Sequence, residues 1–280
     1  MKWNELRTFV VVVTWVSALM GTSCNMTDAN GYEAVLNINL EEEAHLTEDA
    51  SSPYCDFSID YSYLNEKDDS IAVIINQSTQ REFLGEDYAL LVPEEAVDSF
   101  KNVYLRNYRH EVGELYLADL DKGASRETVP AWYGQTYSLV TFIEEGHEGI
   151  INASANYFVD MGGAHPNQWS RWMNFDSVNG NNLTKEDVFL SSAKADIETL
   201  LLNKLINQQA ELHTEAPVTT LEDLQKLGFL QLTTMYIPDN FLLGKEAVLF
   251  LFNRYDIAPY SAGEIVLKVS YEEIGAYLKK

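Results

Sequence analysis

The stretch "NYFVDMGGAHPNQWSRWMNFDSVNGNNLT", residues 156–184, contains two strand-like segments separated by a pair of glycines. In "NQWSRWMNF", large apolar residues alternate with polar ones, which is the period-two pattern of a β-strand with one buried face. Gly162 and Gly163 can adopt positive φ angles, and Pro166 restricts the chain just beyond His165. Together these residues predict a tight change of direction between two strands.

The loop leaves three interpretations of His165 open. The histidine could be hydrogen-bonded within a shaped strand connection, contact a ligand, or act in catalysis. A catalytic histidine needs a nucleophile or a second titratable group beside it, and the five histidines of the chain fall in five different segments. The sequence contains no G-x-S-x-G, Walker, H-E-x-x-H or G-x-G-x-x-G signature. We therefore expect no catalytic residue, no metal site and no cofactor.

Helical and strand-like patterns are mixed along the rest of the chain without a βαβ rhythm. This order predicts an α+β fold of two small domains, with antiparallel sheets packed by amphipathic helices. We place the domains at residues 53–159 and 160–280. The clearest helical signals cover residues 69–85, 92–120 and 192–213, and the clearest strand signals cover residues 54–64, 131–146, 150–160 and 168–176.

The N-terminus has the character of a targeting segment. Two basic residues precede an apolar run at residues 9–20, which is shorter than the roughly 20 residues of a membrane span and suits a signal peptide. "GTSC", ending at Cys24, resembles a bacterial lipobox. We therefore expect residues 1–23 to be a lipoprotein signal peptide and Cys24 to be the lipid attachment site. The protein would then lie in the cell envelope, anchored to the outer membrane and facing the periplasm or the exterior.

The acidic residues limit the classes of partner. A net charge of −24 argues against nucleic acid, which needs clustered Lys and Arg, and favours cationic partners. Residues 24–52 are polar and acidic, so we expect most of this segment to be an acidic flexible spacer, in which "YEAVLNINL", residues 32–40, could form an isolated strand. Within "EEGHEG", residues 144–149, three carboxylates surround His147, and we interpret the segment as a solvated hairpin tip rather than a cation site.

Cys55 is predicted to be a small buried hydrophobe.

Two longer segments carry a family likeness. "GGAHPNQWSRWMNFDSVNGNNLTKEDVF" and "NRYDIAPYSAGEIVLKVSYEEIGAYL" resemble the RsiV-like extracellular domain family, which includes the ectodomain of lysozyme-sensing anti-sigma factors and a module attached to the peptidoglycan deacetylase PdaC. "CDFSIDYSYL" with "SIAVIINQSTQREFLG" is similar to the companion domain of that family. The likeness covers about residues 53–279 and is strongest toward lipoproteins of Bacteroides-type bacteria.

The resemblance implies a non-enzymatic binding module of the cell envelope. Because no sigma-binding segment precedes the apolar run, we expect no anti-sigma activity. The expected partner is a basic protein, such as a lysozyme-like hydrolase, or a cell-wall glycan. The alternative is an envelope hydrolase that acts on peptidoglycan or polysaccharide through a carboxylate pair or His165. The candidate contact residues are His165, Pro166, Asn167, Trp169, Pro259, Tyr260 and Ser261, with Trp132 and Trp172 as further aromatic candidates.

Overall fold

The computed structural model describes residues 35–125, 128–215, 217–229 and 234–279. The predicted signal peptide and Cys24 lie outside these ranges. The predicted α+β fold is confirmed, with one five-stranded and one three-stranded sheet. No helix in the described ranges has the length and apolar character that a membrane span requires. The strands are β1 (Val35–His45), β2 (Tyr54–Leu64), β3 (Gln135–Glu145), β4 (Ile150–Asp160), β5 (Asn167–Asp176), β6 (Phe241–Leu243), β7 (Ala247–Phe252) and β8 (Ile265–Ser270), and the helices are α1 (Ser70–Phe83), α2 (Pro93–Asp121), α3 (Lys185–Val188), α4 (Lys194–Leu212), α5 (Leu221–Lys226) and α6 (Tyr271–Ile274).

The five strands β1 to β5 lie in sequence order in the larger sheet. All neighbouring pairs are antiparallel except β2 and β3, which are parallel because α1 and α2 connect them. One face of the sheet packs against the two helices. Phe57 of β2 stacks on Tyr137 of β3 with ring centroids 5.1 Å apart, and Tyr104 of α2 lies 4.6 Å from the same Tyr137 ring. This aromatic cluster forms the centre of the first core.

Cys55 belongs to that core. Its side chain is fully buried, as the sequence predicted. Burial raises the pKa of the Cys55 thiol to about 12, and the nearby Asp56 carboxylate adds to the effect. At neutral pH the thiol is therefore protonated and behaves as a small apolar side chain.

The prediction of a flexible acidic spacer is wrong over residues 35–52. β1 pairs with β2 along its whole length, from Val35 opposite Leu64 to His45 opposite Tyr54. Alternation explains the difference: "LNINLEEEA" places its apolar residues on one face, where Ile38 and Leu40 pack against the core, while the intervening polar residues face away. The possible strand at residues 32–40 thus corresponds to the first part of β1, which continues through the acidic residues to His45 in its ladder with β2.

The predicted domain boundary between residues 159 and 160 also differs from the boundary in the structure. It falls at the end of β4, yet β5 continues the same sheet on the other side of the glycine loop. Aromatic and apolar residues of β5, such as Phe175, belong to the first core. The second core begins after β5, where the sheet β6-β7-β8 packs against α4.

A capping interaction joins α6 to α4 in the second domain. Hydrogen bonds from Lys204 and Ser270 hold the pKa of Glu273 at about 2, below its ordinary value near 4.5. Because this folded-state pKa is depressed, the resulting stability is present above pH 4.5 and is lost as the pH falls toward 2. Glu273→Gln should lower the free energy of unfolding at pH 7 by about 0.5–1 kcal/mol, since solvent screens a side chain that is 39% exposed.

Urea denaturation between pH 7 and pH 2.5 measures this contribution. The variant should show a weaker loss of stability than the parent below pH 4.5. Glu272→Gln, which removes the neighbouring exposed carboxylate, is the matched control. Identical acid dependence of parent and Glu273→Gln would contradict the assignment.

Candidate functional site

Two loops that are about 90 residues apart in sequence contact each other. The loop between β4 and β5 contributes His165, and the loop between β7 and β8 contributes Tyr260. The His165 ring stacks on the Tyr260 ring with centroids 3.8 Å apart and an interplanar angle of 19°. The Tyr260 hydroxyl donates a hydrogen bond of 2.9 Å to the carbonyl of Pro166. The structure thus brings together the central residues of both sequence motifs.

Gly162 fixes the position of the first loop. Its φ angle is +69°, and a Cβ atom at this position would lie 2.2 Å from the Cα of Trp132. The Asp160 carboxylate accepts a 2.8 Å hydrogen bond from the Gly162 N–H. Gly163, in contrast, faces open space. There is therefore no room for a side chain at Gly162, whereas a Cβ atom at Gly163 would meet no neighbour.

Two further residues at this site, Arg254 and Tyr255, lie within the second family-like segment but were not among the predicted contact residues. Tyr255 has a φ angle of +70° and is 59% exposed, and its hydroxyl lies 3.1 Å from His165 Nε2. The Arg254 guanidinium carbon lies 5.3 Å from the centroid of the Tyr260 ring, within the range of a cation–π contact. A bulky residue at positive φ destabilises the folded state by on the order of 1–3 kcal/mol, and such residues cluster at functional sites. We call Arg254, Tyr255, Tyr260, His165 and Pro166 the two-loop surface.

The other predicted contact residues lie around this surface in different settings. Trp169 stacks on Tyr157 of β4, with centroids 4.5 Å apart, and is 37% exposed. Asn167 begins β5 and is exposed, as is Ser261 in the turn after Pro259. Trp132 and Trp172 are partly buried, with Trp132 packed against the first core. The aromatic candidates therefore divide between core and surface.

Side-chain amides join the two sheets beside the site. The exposed backbone edge of β5 would otherwise present unpaired groups. Asn240 accepts the Trp172 N–H at 2.8 Å and donates to the Ser170 carbonyl at 2.7 Å. Asn253 accepts the Ser170 N–H at 2.8 Å. Because Asn253 precedes the second loop, this bond also ties that loop to β5.

Asn174 makes the corresponding link farther along β5. It is 1% exposed, donates to the Phe241 carbonyl at 2.9 Å and accepts the Leu243 N–H at 2.7 Å. The β3–β4 hairpin also contacts β6, because the His147 N–H donates to the Leu243 carbonyl at 2.7 Å. The hairpin at residues 144–149 thus contacts β6, while Glu144, His147, Glu148 and Gly149 are exposed, as expected for a solvated tip.

The polar contacts of the two-loop surface centre on the His165 ring. The His165 ring nitrogens lie near the Pro166 carbonyl, at 3.3 Å, and the Tyr255 hydroxyl. Partial burial raises the pKa of Asp256, which follows Tyr255 in the second loop, while a hydrogen bond from the Asn253 N–H opposes the shift. Within the described ranges, no group of three or more His, Cys, Asp or Glu residues could hold a metal ion.

Comparisons with known proteins place this geometry in a family context. The family described as "Protein of unknown function (DUF3298)" matches residues 181–272, a segment that starts just after β5. The chain is similar to a crystal structure of a DUF3298 family member from Bacteroides fragilis, with 26% identity and a TM-score of 0.79 over 88% of this chain and 94% of that one. A DUF3298 family protein from Pseudomonas aeruginosa has the same coverage with 17% identity and a TM-score of 0.58, which concerns the fold alone. No curated protein matches the chain. The second domain thus matches a family of unknown function, and the chain shares the fold of solved DUF3298 family proteins.

Proposed function

We propose that this protein is a non-enzymatic lipoprotein of the cell envelope that binds a basic protein through the two-loop surface, in the manner implied by its RsiV-like motifs. A lysozyme-like hydrolase is the first candidate partner. The observation that supports the proposal most strongly is the stacking of His165 on Tyr260. It joins the two motifs into one exposed aromatic surface that the amide bonds of Asn253 hold in place.

The character of this surface favours binding. Tyrosine and arginine residues are enriched among the residues that dominate protein interfaces, and Tyr255 and Arg254 extend the stacked pair. The net charge of −24 would attract a basic partner over long range and accelerate its association. Because His165 contacts a carbonyl and a phenol rather than a carboxylate or a nucleophile, we place the envelope hydrolase second and assign it no residues.

Binding of a lysozyme to the immobilised Cys24→Ala protein tests the proposal. We expect saturable binding that weakens by about tenfold or more between ionic strengths of about 0.01 M and 0.15 M, because the Debye length shortens from about 30 Å to about 8 Å. Soluble peptidoglycan fragments form the second arm. Binding of the fragments without the lysozyme would replace the protein partner by a glycan, and binding of neither would remove the proposal.

The predicted lipid anchor has its own test. In cells, the wild-type chain should partition with membranes, whereas Cys24→Ala should be recovered in the soluble periplasmic or extracellular fraction, because the thiol that carries the lipid is missing. Cys55→Ala is the control, since Cys55 is buried in the core and cannot carry an anchor. Membrane association of Cys24→Ala equal to that of the wild type would refute the anchor.

A further inference from the structure

Arg254, near the start of the second loop, is a partly buried arginine that has no carboxylate partner among the residues that the structure describes. Its Nε atom is buried and makes no hydrogen bond to any of those residues. The guanidinium carbon lies 5.3 Å from the centroid of the Tyr260 ring. The charge of Arg254 is thus held beside an aromatic ring, and no acidic side chain of the described ranges neutralises it.

The other arginines of the described ranges have different environments. Arg81, Arg109 and Arg171 each form an ion pair with a glutamate, and Arg106 is exposed on α2. A charged group that is withdrawn from water without a counter-ion destabilises the folded state, and a cation–π contact offsets only part of the lost hydration. An arginine in this setting is therefore a candidate for pairing with an anionic group of a ligand.

The hydrogen-bond donors at this position suit a carboxylate. The terminal nitrogens of Arg254 make no hydrogen bond to a described residue and, unlike Nε, are not buried. The planar guanidinium presents its donors as a fork that matches the two oxygens of a carboxylate. The neighbouring Tyr255 hydroxyl is a further polar group on the exposed side of the loop. The Asp256 carboxylate forms no ion pair with Arg254 and instead accepts the Asn253 N–H at 2.8 Å.

We propose that Arg254 pairs with a carboxylate side chain that the protein partner presents to the two-loop surface. The net charge of −24 repels small free anions, so the carboxylate has to be delivered by a protein whose overall charge is positive. Arg254 then distinguishes a partner with a carboxylate at this position from other basic proteins, which long-range attraction alone does not separate. This inference rests on the proposed function, because it names the group that the same basic partner places on Arg254.

A small-molecule titration tests the site without the protein partner. The methylamide of N-acetylglutamate carries one side-chain carboxylate, and the corresponding glutamine compound is its neutral isostere. Each compound is titrated into the ¹⁵N-labelled Cys24→Ala protein, and the Arg254 Nε–H and Tyr255 amide signals are followed by NMR. An ionic strength of about 0.15 M, with a Debye length of about 8 Å, screens the net charge. We expect the glutamate compound to bind at least about tenfold more tightly, because its hydrogen bonds to Arg254 are charge-assisted.

Paired variants assign these shifts to Arg254. The shift of the Tyr255 amide should disappear in Arg254→Gln and persist in Arg106→Gln, which removes the same charge from an exposed position on α2. Equal binding of the two compounds, or equal shifts in the two variants, would overturn the proposal.

A lysozyme whose carboxyl groups have been converted into neutral amides tests the pairing in the complex. The modification makes the lysozyme more basic, so long-range attraction alone predicts tighter binding. Loss of the group that pairs with Arg254 predicts binding that is weaker by about tenfold, provided that circular dichroism shows a native fold. Arg254→Gln should bind the unmodified lysozyme about tenfold more weakly than the parent does and lose no further affinity when the lysozyme is modified.

The two experiments separate this inference from the proposed function. If the parent protein binds the modified lysozyme as tightly as the unmodified one, or more tightly, only the assignment of Arg254 fails. If the unmodified lysozyme does not bind the parent protein at all, the proposed partner is wrong, and the glutamate titration still decides whether Arg254 accepts a carboxylate.

Discussion

Gly162→Ala should lower the free energy of unfolding by about 3 kcal/mol and disorder the stacking of His165 on Tyr260. The alanine would hold an L-residue at a φ angle of +69°, which costs about 1–2 kcal/mol. Its Cβ would also meet the Trp132 backbone at 2.2 Å, and relief of such overpacking costs a further 1–3 kcal/mol. Urea denaturation followed by tryptophan fluorescence measures the loss.

Gly163→Ala is the matched control because a Cβ at that position meets no atom within 4 Å. We expect its free energy of unfolding to stay within about 0.5 kcal/mol of the parent. If the two alanine variants are equally stable, the loop does not hold Gly162 against Trp132. In that case the positioning of His165 must come from the second loop alone.

Asn174→Ala should destabilise the junction between the two sheets by about 3 kcal/mol. The substitution removes two hydrogen bonds at a position that is 1% exposed. It also leaves the Leu243 N–H and the Phe241 carbonyl without these partners, and each unsatisfied buried group costs about 1–3 kcal/mol. Because the bonds join β5 to β6, we expect the denaturation curve to broaden as the domains begin to unfold separately.

Asn181→Ala provides the comparison for this junction. Asn181 lies on the surface just beyond β5, and its replacement should change the free energy of unfolding by less than about 0.5 kcal/mol. Native-state hydrogen exchange gives the spatial detail, because amides of β6 should lose protection in Asn174→Ala before those of β2. Uniform loss of protection throughout the chain would show that the two sheets remain one cooperative unit.

Local signals explain the part of the fold that could be predicted. Asp69 caps α1 by accepting the Ile71 and Ala72 N–H groups, and Thr220 caps α5 with Asp223 as its capping-box partner. The strands beside the glycine loop follow from their alternating residues. Such features depend on residues close together in sequence, so periodicity and capping rules suffice to predict them.

Long-range pairing explains what could not be predicted. The acidic residues 41–43 obscure the alternating pattern of β1, and its full length as a strand depends on its ladder with β2. The parallel pairing of β2 with β3 spans two helices. The hydrogen bonds of Asn240 and Asn174, which join β5 to the β6 region, connect residues 67 or 68 positions apart. At the candidate site, the likeness of two motifs pointed to His165 and Tyr260. The positive φ of Tyr255 depends on the folded loop, and a tyrosine in sequence gives no sign of it.

The most direct test of the two-loop surface is the affinity of a lysozyme for variants of that surface, measured by biolayer interferometry at low ionic strength. Tyr255→Ala and Tyr260→Ala should each weaken binding by about tenfold or more, as expected when an interface anchor is removed. Phe142→Ala, which removes an aromatic residue that is 49% exposed on β3, should leave the affinity within about twofold. Cytochrome c, a basic protein of unrelated shape, should bind more weakly. Unchanged lysozyme affinity in both tyrosine variants, or no lysozyme binding by the parent protein, would contradict the account.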